Sequence, residues 1–369
     1  MTRLSEMKLN AHIHLPPNFS AFVSVSQAIE LASEQGLSVL GGSNYYDWSV
    51  YAEFAALAKA KGIFPLFGLE IICLVPELQA AGIKINDPGN PGKFYLCGKG
   101  ITEFSTLSAE ATALLAVIRH NDSERMAKVV EKLSALLSVP LTAETIQQAI
   151  AQRHGCPVAT VYLQERHVAQ AFEAALEGRP GALDQNAIRS QWMKAGKPGY
   201  IPETFVGFDH AYQLILALGG IPCYPTLIDG SNPICPFEAD ANTLIASLKE
   251  RGIWAAELIP TRNTPEVLAH YVKALRAAGI IVTAGTEHNT PELAPLVPTC
   301  IGGQAIPDEV QALFTEGALV VIAHQDRRSR GEAGYVDAAG QLCPGFASND
   351  ERIADFAAWG LSALAKKSH

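Results

Sequence analysis

One local pattern occurs six times along this chain: a helical stretch, then a glycine, then a short run of apolar residues. The apolar runs are continuous rather than alternating, which is typical of parallel strands that helices cover. A glycine just past a helix adopts a left-handed backbone conformation without steric cost and so ends the helix. The repeat therefore predicts an α/β protein. The glycines that mark it are Gly36, Gly62, Gly220, Gly252, Gly279 and Gly317.

Two further segments, MKLNAHIHL near the N-terminus and KFYLCGKGI at residues 93–101, also have the composition of strands. The resulting total of about seven or eight strands favours a closed barrel over an open sheet. Between residues 106 and 205 the pattern is helical. We therefore predict a barrel formed by residues 1–105 and 206–369, with a helical insertion at 106–205. The insertion ends in the glycine- and proline-rich connector KAGKPGYIPETF.

The composition narrows the range of functions. A net charge of -9 argues against general coating of DNA or RNA, which requires a basic surface. No apolar run reaches the length of a membrane span, and the start MTRLSEMKLN lacks the apolar core of a signal peptide. The seven cysteines form no CxxC pair, so neither a disulfide framework nor a zinc ribbon is indicated. We expect a cytoplasmic protein that binds a small molecule and not a membrane.

Residues that commonly bind metals follow the predicted strands where each one ends. His12 and His14 are two positions apart, so on a strand both imidazoles point to the same side. Glu70 and Glu287 end two other strands, and strand ends converge on one face of a barrel. Two imidazoles and two carboxylates suit Zn²⁺, Mn²⁺ or Fe²⁺. Walker, GxSxG and GxGxxG motifs are absent, which disfavours the main rival chemistries.

The order of four segments, HIH, GLEI, GGIPCYP and TAGTEHN, resembles the PHP (polymerase and histidinol phosphatase) superfamily. The segments QERHVAQAF and KPGYIPE extend the resemblance to the nucleotide-directed PHP phosphoesterases that carry a helical insertion. It covers most of residues 8–290. The resemblance implies a distorted (β/α)7 barrel and a centre, usually of three metal ions, that hydrolyses phosphoesters.

Carried over residue by residue, the resemblance matches the ligands of one ion. His12 and His14 match the opening HxH, Glu70 matches the bridging glutamate, and Glu287 lies where the family has an aspartate. The remaining ligand positions have changed. The family's T-D-H is Ser43-Asn44-Tyr45 here, its next histidine is Tyr95, its A-H-P is Cys223-Tyr224-Pro225, and its last histidine is Asn289. We therefore predict a single divalent ion, zinc or manganese with iron as a third option.

Other residues near strand ends receive candidate roles. Tyr45, Tyr95, Tyr224 and His288 are candidate acid–base or hydrogen-bonding groups, and His288 could replace Glu287 as a ligand. Arg262, Lys99 and Asn44 are candidates for binding an anionic substrate. Glu257 is a candidate hydrogen-bond partner of a ligand histidine, and His324 is a candidate replacement ligand or base. Arg166 is a further candidate for anion recognition, although it lies in an apparent helix whose face is more simply interpreted as solvated.

The predicted function is hydrolysis of a small phosphoester, with a nucleotide as one option, by metal-activated water. Two alternatives remain open at this stage. One is a mononuclear metal lyase, isomerase or amide hydrolase that acts on a sugar-like or carbonyl substrate. The other is a non-catalytic ligand-binding relative of a PHP phosphoesterase.

Overall fold

The computed structural model describes residues 7–367, so the first six residues of the segment assessed for a signal peptide lie outside it. Its centre is a nearly closed, barrel-shaped sheet of seven strands in the order β1-β2-β3-β4-β6-β7-β8, with the short β5 paired to β3 outside this path. The predicted mixed α/β class is confirmed. The strands are β1 Leu9–Ile13, β2 Val39–Gly42, β3 Phe64–Leu74, β4 Lys93–Lys99, β5 Val206–Gly207, β6 Ile221–Pro225, β7 Ala255–Leu258 and β8 Ile281–Ala284.

The barrel closes where β1 meets the segment that follows β8. Ile13 and Glu287 form a parallel bridge, and the amide of His14 donates to the carbonyl of Glu287 at 2.8 Å. The amide of Glu287 donates in turn to the carbonyl of His12 at 2.9 Å. Backbone pairing therefore fixes the first strand beside the last, at the end of the barrel where the candidate ligands lie.

One strand runs against the others. The pairs β1–β2, β2–β3, β6–β7 and β7–β8 are parallel, whereas β4 is antiparallel to both of its neighbours. The repeating pattern had suggested parallel strands throughout. Antiparallel pairing requires no helical crossover to the next strand, and β4 indeed follows β3 after only the short helix Pro76–Ala80. As a result β4 ends at the opposite end of the barrel from β3.

Helices surround the sheet, and several begin at hydrogen-bonding caps, such as Ser24 before the helix Val25–Glu34 and Thr264 before the helix Pro265–Ala277. The helices are α1 Val25–Glu34, α2 Tyr51–Ala60, α3 Pro76–Ala80, α4 Ala109–Leu137, α5 Ala143–His154, α6 Glu165–Leu176, α7 Gln185–Ile188, α8 Phe208–Ala217, α9 Ala241–Glu250, α10 Pro265–Ala277, α11 Asp308–Ser329 and α12 Asn349–Lys367. A single π-helical turn, Arg189–Met193, continues α7.

Helix α4 joins the barrel to the other helices between β4 and β5. Near its start, Leu115 and Ile118 belong to the hydrophobic core of the barrel. Near its end, Val130 and Leu133 belong to a separate hydrophobic core formed by residues 126–193. At about 1.5 Å per residue, the 29 residues of this helix extend over roughly 44 Å. One continuous helix thus contributes to both cores.

The prediction of a strand after Gly317 is wrong. The segment LFTEGALVVIAH lies inside α11, which runs unbroken from Asp308 to Ser329. A short apolar run can form a buried helix as readily as a buried strand, and this helix is buried on most sides beneath the barrel. A Cβ at Gly317 would lie 1.9 Å from the carbonyl oxygen of Val282, so glycine allows the helix to approach β8.

His324 therefore lies on a helix rather than at a strand end. Its Nε2 is 2.8 Å from the carbonyl oxygen of Gly219, and its Nδ1 accepts from the amide of Tyr335 at 2.9 Å. Burial lowers its pKa to about 4, so the ring is neutral. The ring fixes two backbone segments at the closed end of the barrel, and the predicted role as ligand or base does not fit this place.

Candidate metal centre

The two histidines of β1 point to the same side, as their spacing predicts. His12 is 1% exposed and His14 is fully buried. Their Nε2 atoms are 3.3 Å apart, and the ring centroids are separated by 5.0 Å. Two imidazole nitrogens are thus directed at a common point at the open end of the barrel.

Glu70 of β3 brings a carboxylate to the same point. Its Oε2 lies 3.2 Å from Nε2 of His14 and 3.9 Å from Nε2 of His12. One ligand atom from each of the three residues lies within 4.8 Å of the others. We call His12, His14 and Glu70 the metal triad below. Two nitrogens and one carboxylate oxygen form a common donor set for a divalent transition metal.

Glu257 of β7 orients the first histidine. Its Oε1 is 2.5 Å from Nδ1 of His12, and its Oε2 accepts from Nζ of Lys99 at 2.5 Å. Burial opposes ionisation of Glu257, but the charge of Lys99 and then the interaction with His12 lower its pKa. With a carboxylate facing Nδ1, His12 carries its proton there and presents the lone pair of Nε2 to the triad. The role expected for Glu257 matches its position.

The state of the triad fits a bound cation. Burial, the largest effect, lowers the pKa of His14, so its imidazole is neutral. Oε2 of Glu70 and Nδ1 of His14 are buried and make no hydrogen bond within residues 7–367. A buried carboxylate oxygen without a hydrogen bond is costly unless something compensates it. A divalent ion held by the triad would compensate this oxygen.

Glu287, the expected fourth ligand, is held by other groups. Arg262 donates to both of its carboxylate oxygens, and Nδ2 of Asn289 donates to Oε2 at 2.8 Å. Burial alone would raise the pKa of Glu287, but the charge of Arg262 overrides that effect and lowers the pKa to about 2. In this arrangement Glu287 borders the triad but does not belong to it. Its partner Arg262 is correspondingly not free to bind substrate.

The backbone at Glu287 is strained. Glu287 and His288 have φ of 59° and 52°, the left-handed region that residues with a Cβ rarely adopt. The turn directs His288 away from the triad. Its ring stacks on Phe22 at 4.9 Å between centroids, and its Nε2 lies 2.9 Å from the carbonyl oxygen of Ala294. The structure therefore does not place His288 as an alternative to Glu287.

Two of the three predicted tyrosines line the cavity above the triad. The ring of Tyr45 stacks on His14 at 5.2 Å, and Tyr95 lies on the same cavity wall. Burial raises the pKa of Tyr45 well above its ordinary value and that of Tyr95 to about 12, so both hydroxyls stay protonated. Tyr224 is instead fully buried in the core, where its hydroxyl donates to Glu238 at 2.8 Å. Tyr224 does not reach the site.

Lys99 and Asn44 are also removed from the cavity. Lys99 is 2% exposed inside the barrel, where Nζ is bonded to Glu257 and to the carbonyl of Ala11. The side chain of Asn44 exchanges two hydrogen bonds with the backbone of Leu15. Neither residue is available to a substrate. Both were predicted because they lie near strand ends. That position does not show whether a side chain points into the cavity or into the interior of the barrel.

Another possible cation-binding group lies deeper, where His12 and Glu257 approach Cys97. The ammonium of Lys99 already neutralises Glu257 at this level. Burial raises the pKa of Cys97 well above its ordinary value, so the thiol is protonated. A protonated thiol is a poor ligand. The metal triad is thus the better site.

Through Glu70, the triad borders a cavity of about 310 Å³ between the barrel and the helices of residues 109–193. The sequence did not indicate which residues of these helices would face the cavity, because a helix without a known partner does not reveal its inner side. The barrel contributes Tyr45, Glu70, Tyr95, Arg262 and Glu287, and the helices between β4 and β5 contribute Asp122, Arg125, Glu165, Arg166 and Arg189. Arg166 therefore faces the cavity and not bulk solvent.

Two wider expectations can be compared with the structure. The seven cysteines are all free, in line with the absence of a disulfide framework. Within residues 7–367 no helix combines the length and the apolar character needed to cross a membrane.

No protein-family model and no curated protein matches the sequence. Solved structures share the fold. A protein described as a candidate metal-dependent phosphoesterase from Bifidobacterium adolescentis superposes with a TM-score of 0.60 at 15% identity, covering 83% of this chain and 94% of that chain. An amidohydrolase from Chromobacterium violaceum, solved with bound sulfate and no metal, gives a TM-score of 0.56 at 18% identity, covering 83% and 96%. At these identities the likeness establishes the fold alone.

Proposed function

We propose that this protein is a metal-dependent hydrolase of a small phosphoester, built on a distorted (β/α)7 barrel of the PHP type. The observation that carries the proposal is the metal triad: two imidazole nitrogens converge on a buried carboxylate oxygen of Glu70, and Glu70 lines a cavity. The shared fold with a candidate metal-dependent phosphoesterase supports the same class of chemistry. The substrate proposed is small because the cavity measures about 310 Å³.

A divalent ion held by His12, His14 and Glu70 would supply a Lewis acid that polarises a phosphoryl oxygen and acidifies water. The protein's own residues supply orientation and hydrogen bonds. Glu257 keeps the Nε2 lone pair of His12 directed at the triad. Tyr45 has a neutral hydroxyl beside the triad and can donate to an oxygen that gains negative charge.

We propose one ion rather than several. The positions that resemble the ligands of further ions are Asn44, Tyr45, Tyr95, Tyr224 and Asn289, of which Tyr45, Tyr95 and Asn289 line the cavity. A neutral phenol is a poor ligand for a divalent metal. The ammonium group of Lys99 also pairs with Glu257 beneath the triad, and this positive charge disfavours a second cation beside Glu257. Zinc or manganese, with iron as a third option, suits the donor set.

Elemental analysis of protein purified without added metal tests the site. We expect about one equivalent of a transition metal in the wild type, and loss of this metal in His12→Ala and Glu70→Gln. His120→Ala is the matched control, because His120 lies on the exposed surface of α4 with a side chain that is 76% exposed. Three equivalents in the wild type would contradict the single-ion centre, and none would contradict the metal itself.

Hydrolysis of p-nitrophenyl phosphate with added Mn²⁺ or Zn²⁺ tests the reaction. We expect turnover that depends on the metal, is abolished in His12→Ala and persists in His120→Ala. Metal binding without turnover of a panel of phosphomonoesters and phosphodiesters would favour the mononuclear lyase, isomerase or amide hydrolase. Absence of any turnover together with retained ligand binding would favour the non-catalytic relative.

A further inference from the structure

The wall of the cavity opposite the triad carries two arginines from the insertion. Arg166 lies in the first turn of α6, and Arg189 begins the π-helical turn after α7. Both side chains line the cavity and both are partly buried. Positive charge is therefore concentrated on the face that looks toward the barrel.

The other cations of the cavity are already neutralised by carboxylates. These ion pairs are Arg125 with Glu165 at 2.9 Å, Lys93 with Asp87 at 3.2 Å, and Arg262 with Glu287. The sequence had suggested Lys99, Arg262 and Arg166 for anion binding, but Lys99 and Arg262 are paired with glutamates. Any anion that enters the cavity must therefore be bound by other groups.

Arg166 and Arg189 have no such partner. Neither guanidinium makes an ion pair or a side-chain hydrogen bond to any residue between 7 and 367, and Nε of Arg189 is buried without an acceptor. The contact recorded for Arg166 is with the ring of Phe19, 6.0 Å from the guanidinium carbon to the centroid. Five guanidinium N–H donors per arginine are thus left to a ligand.

The two charges also act on each other. Burial, and next the charge of Arg189, lower the pKa of Arg166, whereas Tyr45 and Glu287 on the barrel side act to raise it. Two like charges in a partly buried cavity repel, and this repulsion disappears when an anion lies between them. Arg166, Tyr45 and Glu287 line the same cavity.

Contacts with the barrel fix the position of Arg166. Gln164, which precedes α6, accepts from the amide of Phe19 at 2.8 Å and donates to Asn18 at 3.3 Å. Asn18 also accepts from the amide of Tyr45 at 2.9 Å. The first turn of α6 is therefore tied to the loop after β1, which begins at the triad.

We propose that Arg166 and Arg189 form an anion-binding site, supplied by the helical insertion, that binds phosphoryl oxygens of the substrate. The choice of a phosphoryl group rests on the proposed function, whereas the preference for an anion rests on the two unpaired guanidiniums alone. Planar guanidiniums bind phosphoryl oxygens through paired hydrogen bonds, which are stronger than hydrogen bonds between neutral groups.

Calorimetric titration of inorganic phosphate into metal-free protein tests this site separately from the metal. We expect the wild type to bind phosphate, and Arg166→Gln and Arg189→Gln each to raise Kd by about tenfold or more, as loss of charge-assisted hydrogen bonds predicts. Arg189→Lys, which keeps the charge, should show a smaller loss. Arg179→Gln is the matched control, because Arg179 is an exposed arginine of the insertion outside the cavity.

The outcomes separate the two proposals. If phosphate binds as expected but no phosphoester is hydrolysed with any metal, the proposed function fails and the anion site stands. If hydrolysis occurs but phosphate affinity is equal in the wild type and in the Arg166 and Arg189 variants, the anion site is wrong and the function stands. Phosphate binding that requires added metal, or equal weakening in Arg179→Gln, would also overturn the anion site.

Discussion

Arg262 donates two hydrogen bonds to the carboxylate of Glu287, from Nη1 to Oε1 at 3.0 Å and from Nη2 to Oε2. Because of this pair, Glu287 does not contribute its carboxylate to the metal triad, although the sequence analysis predicted it as a metal ligand. The same charge keeps the pKa of Glu287 at about 2, below its ordinary value of 4.5. The pair therefore stabilises the fold above pH 4.5, and this contribution is lost as the pH falls toward 2.

Replacing Arg262 by leucine should release Glu287. We expect metal-free Arg262→Leu to be less stable by about 1–3 kcal/mol, because a buried charged acceptor loses its partner. We also expect it to bind Zn²⁺ more tightly than the wild type, since a further carboxylate becomes available beside the triad. Urea unfolding and metal titration measure the two effects, with Arg262→Lys as control. Unchanged or weaker Zn²⁺ binding would show that Glu287 cannot reach the ion.

Glu257 has two partners, so its loss should have two separable effects. Glu257→Leu should weaken metal binding by about 10- to 100-fold, because His12 loses the acceptor that orients it. It should also destabilise the protein by about 3–5 kcal/mol, because Lys99 is left as an unpaired buried charge.

The double variant Lys99→Met/Glu257→Leu separates these effects. An apolar pair should restore most of the free energy of unfolding without restoring the metal affinity. Chemical denaturation and metal titration on the same samples provide both values. Recovery of metal affinity in the double variant would show that Glu257 acts only by neutralising Lys99.

Gly285 lies directly against His12. A Cβ at this position would fall 2.4 Å from Cβ of His12, so Gly285→Ala should displace the imidazole. We expect a loss of about 1–3 kcal/mol in stability and a clear loss of bound metal. Gly207→Ala is the control, because a Cβ there meets no atom within 4 Å. Retained metal content in Gly285→Ala would mean that β1 and the loop after β8 can move apart without displacing the metal ligands.

Asp122 should make stability depend on pH. Burial is the main cause that raises the pKa of this carboxyl from 3.8 to about 7, with Glu165 and Glu203 adding to the effect and Arg125 opposing it. The contribution of Asp122 to stability is therefore complete below pH 3.8 and lost as the pH rises through 7. Asp122→Asn should be the more stable protein above pH 7, by a margin that shrinks toward pH 4.

Urea unfolding across this pH range provides the comparison. Asp355→Asn should follow the wild type, because Asp355 is exposed on α12. A constant difference between Asp122→Asn and the wild type from pH 4 to pH 8 would contradict the raised pKa.

Features set by neighbours along the chain could be predicted from the sequence. The shared direction of His12 and His14 follows from the two-residue period of a strand, and the α/β class follows from the repeated pattern. The apolar run after Gly317 was ambiguous, because at that length a buried helix and a buried strand have the same composition. The direction of β4 was equally hidden, since it depends on which strands it pairs with.

Features set by distant residues could not be predicted. Nothing local to Glu287 shows that Arg262 will occupy its carboxylate, because the two meet only when β7 and β8 pair and their loops fold together. The position of Arg189 in the cavity could not be predicted either, because it also depends on residues that are distant in the sequence. A helical segment shows its apolar face in its periodicity, but the residue that will line a cavity depends on where the helix packs.

The continuity of α4 through both hydrophobic cores sets a geometric constraint on how this chain can change. Each residue of an α-helix advances the rotation by about 100°. Deleting one residue between Arg119 and Arg125 would rotate the core of residues 126–193 by about 100° relative to the barrel. Arg166 and Arg189 would then no longer face the cavity. Insertions or deletions in this part of α4 should therefore be tolerated only when they preserve the rotation, as about seven residues, or two turns, would. The glycine- and proline-rich segment at 194–205 is not helical, so its length is not restricted in this way.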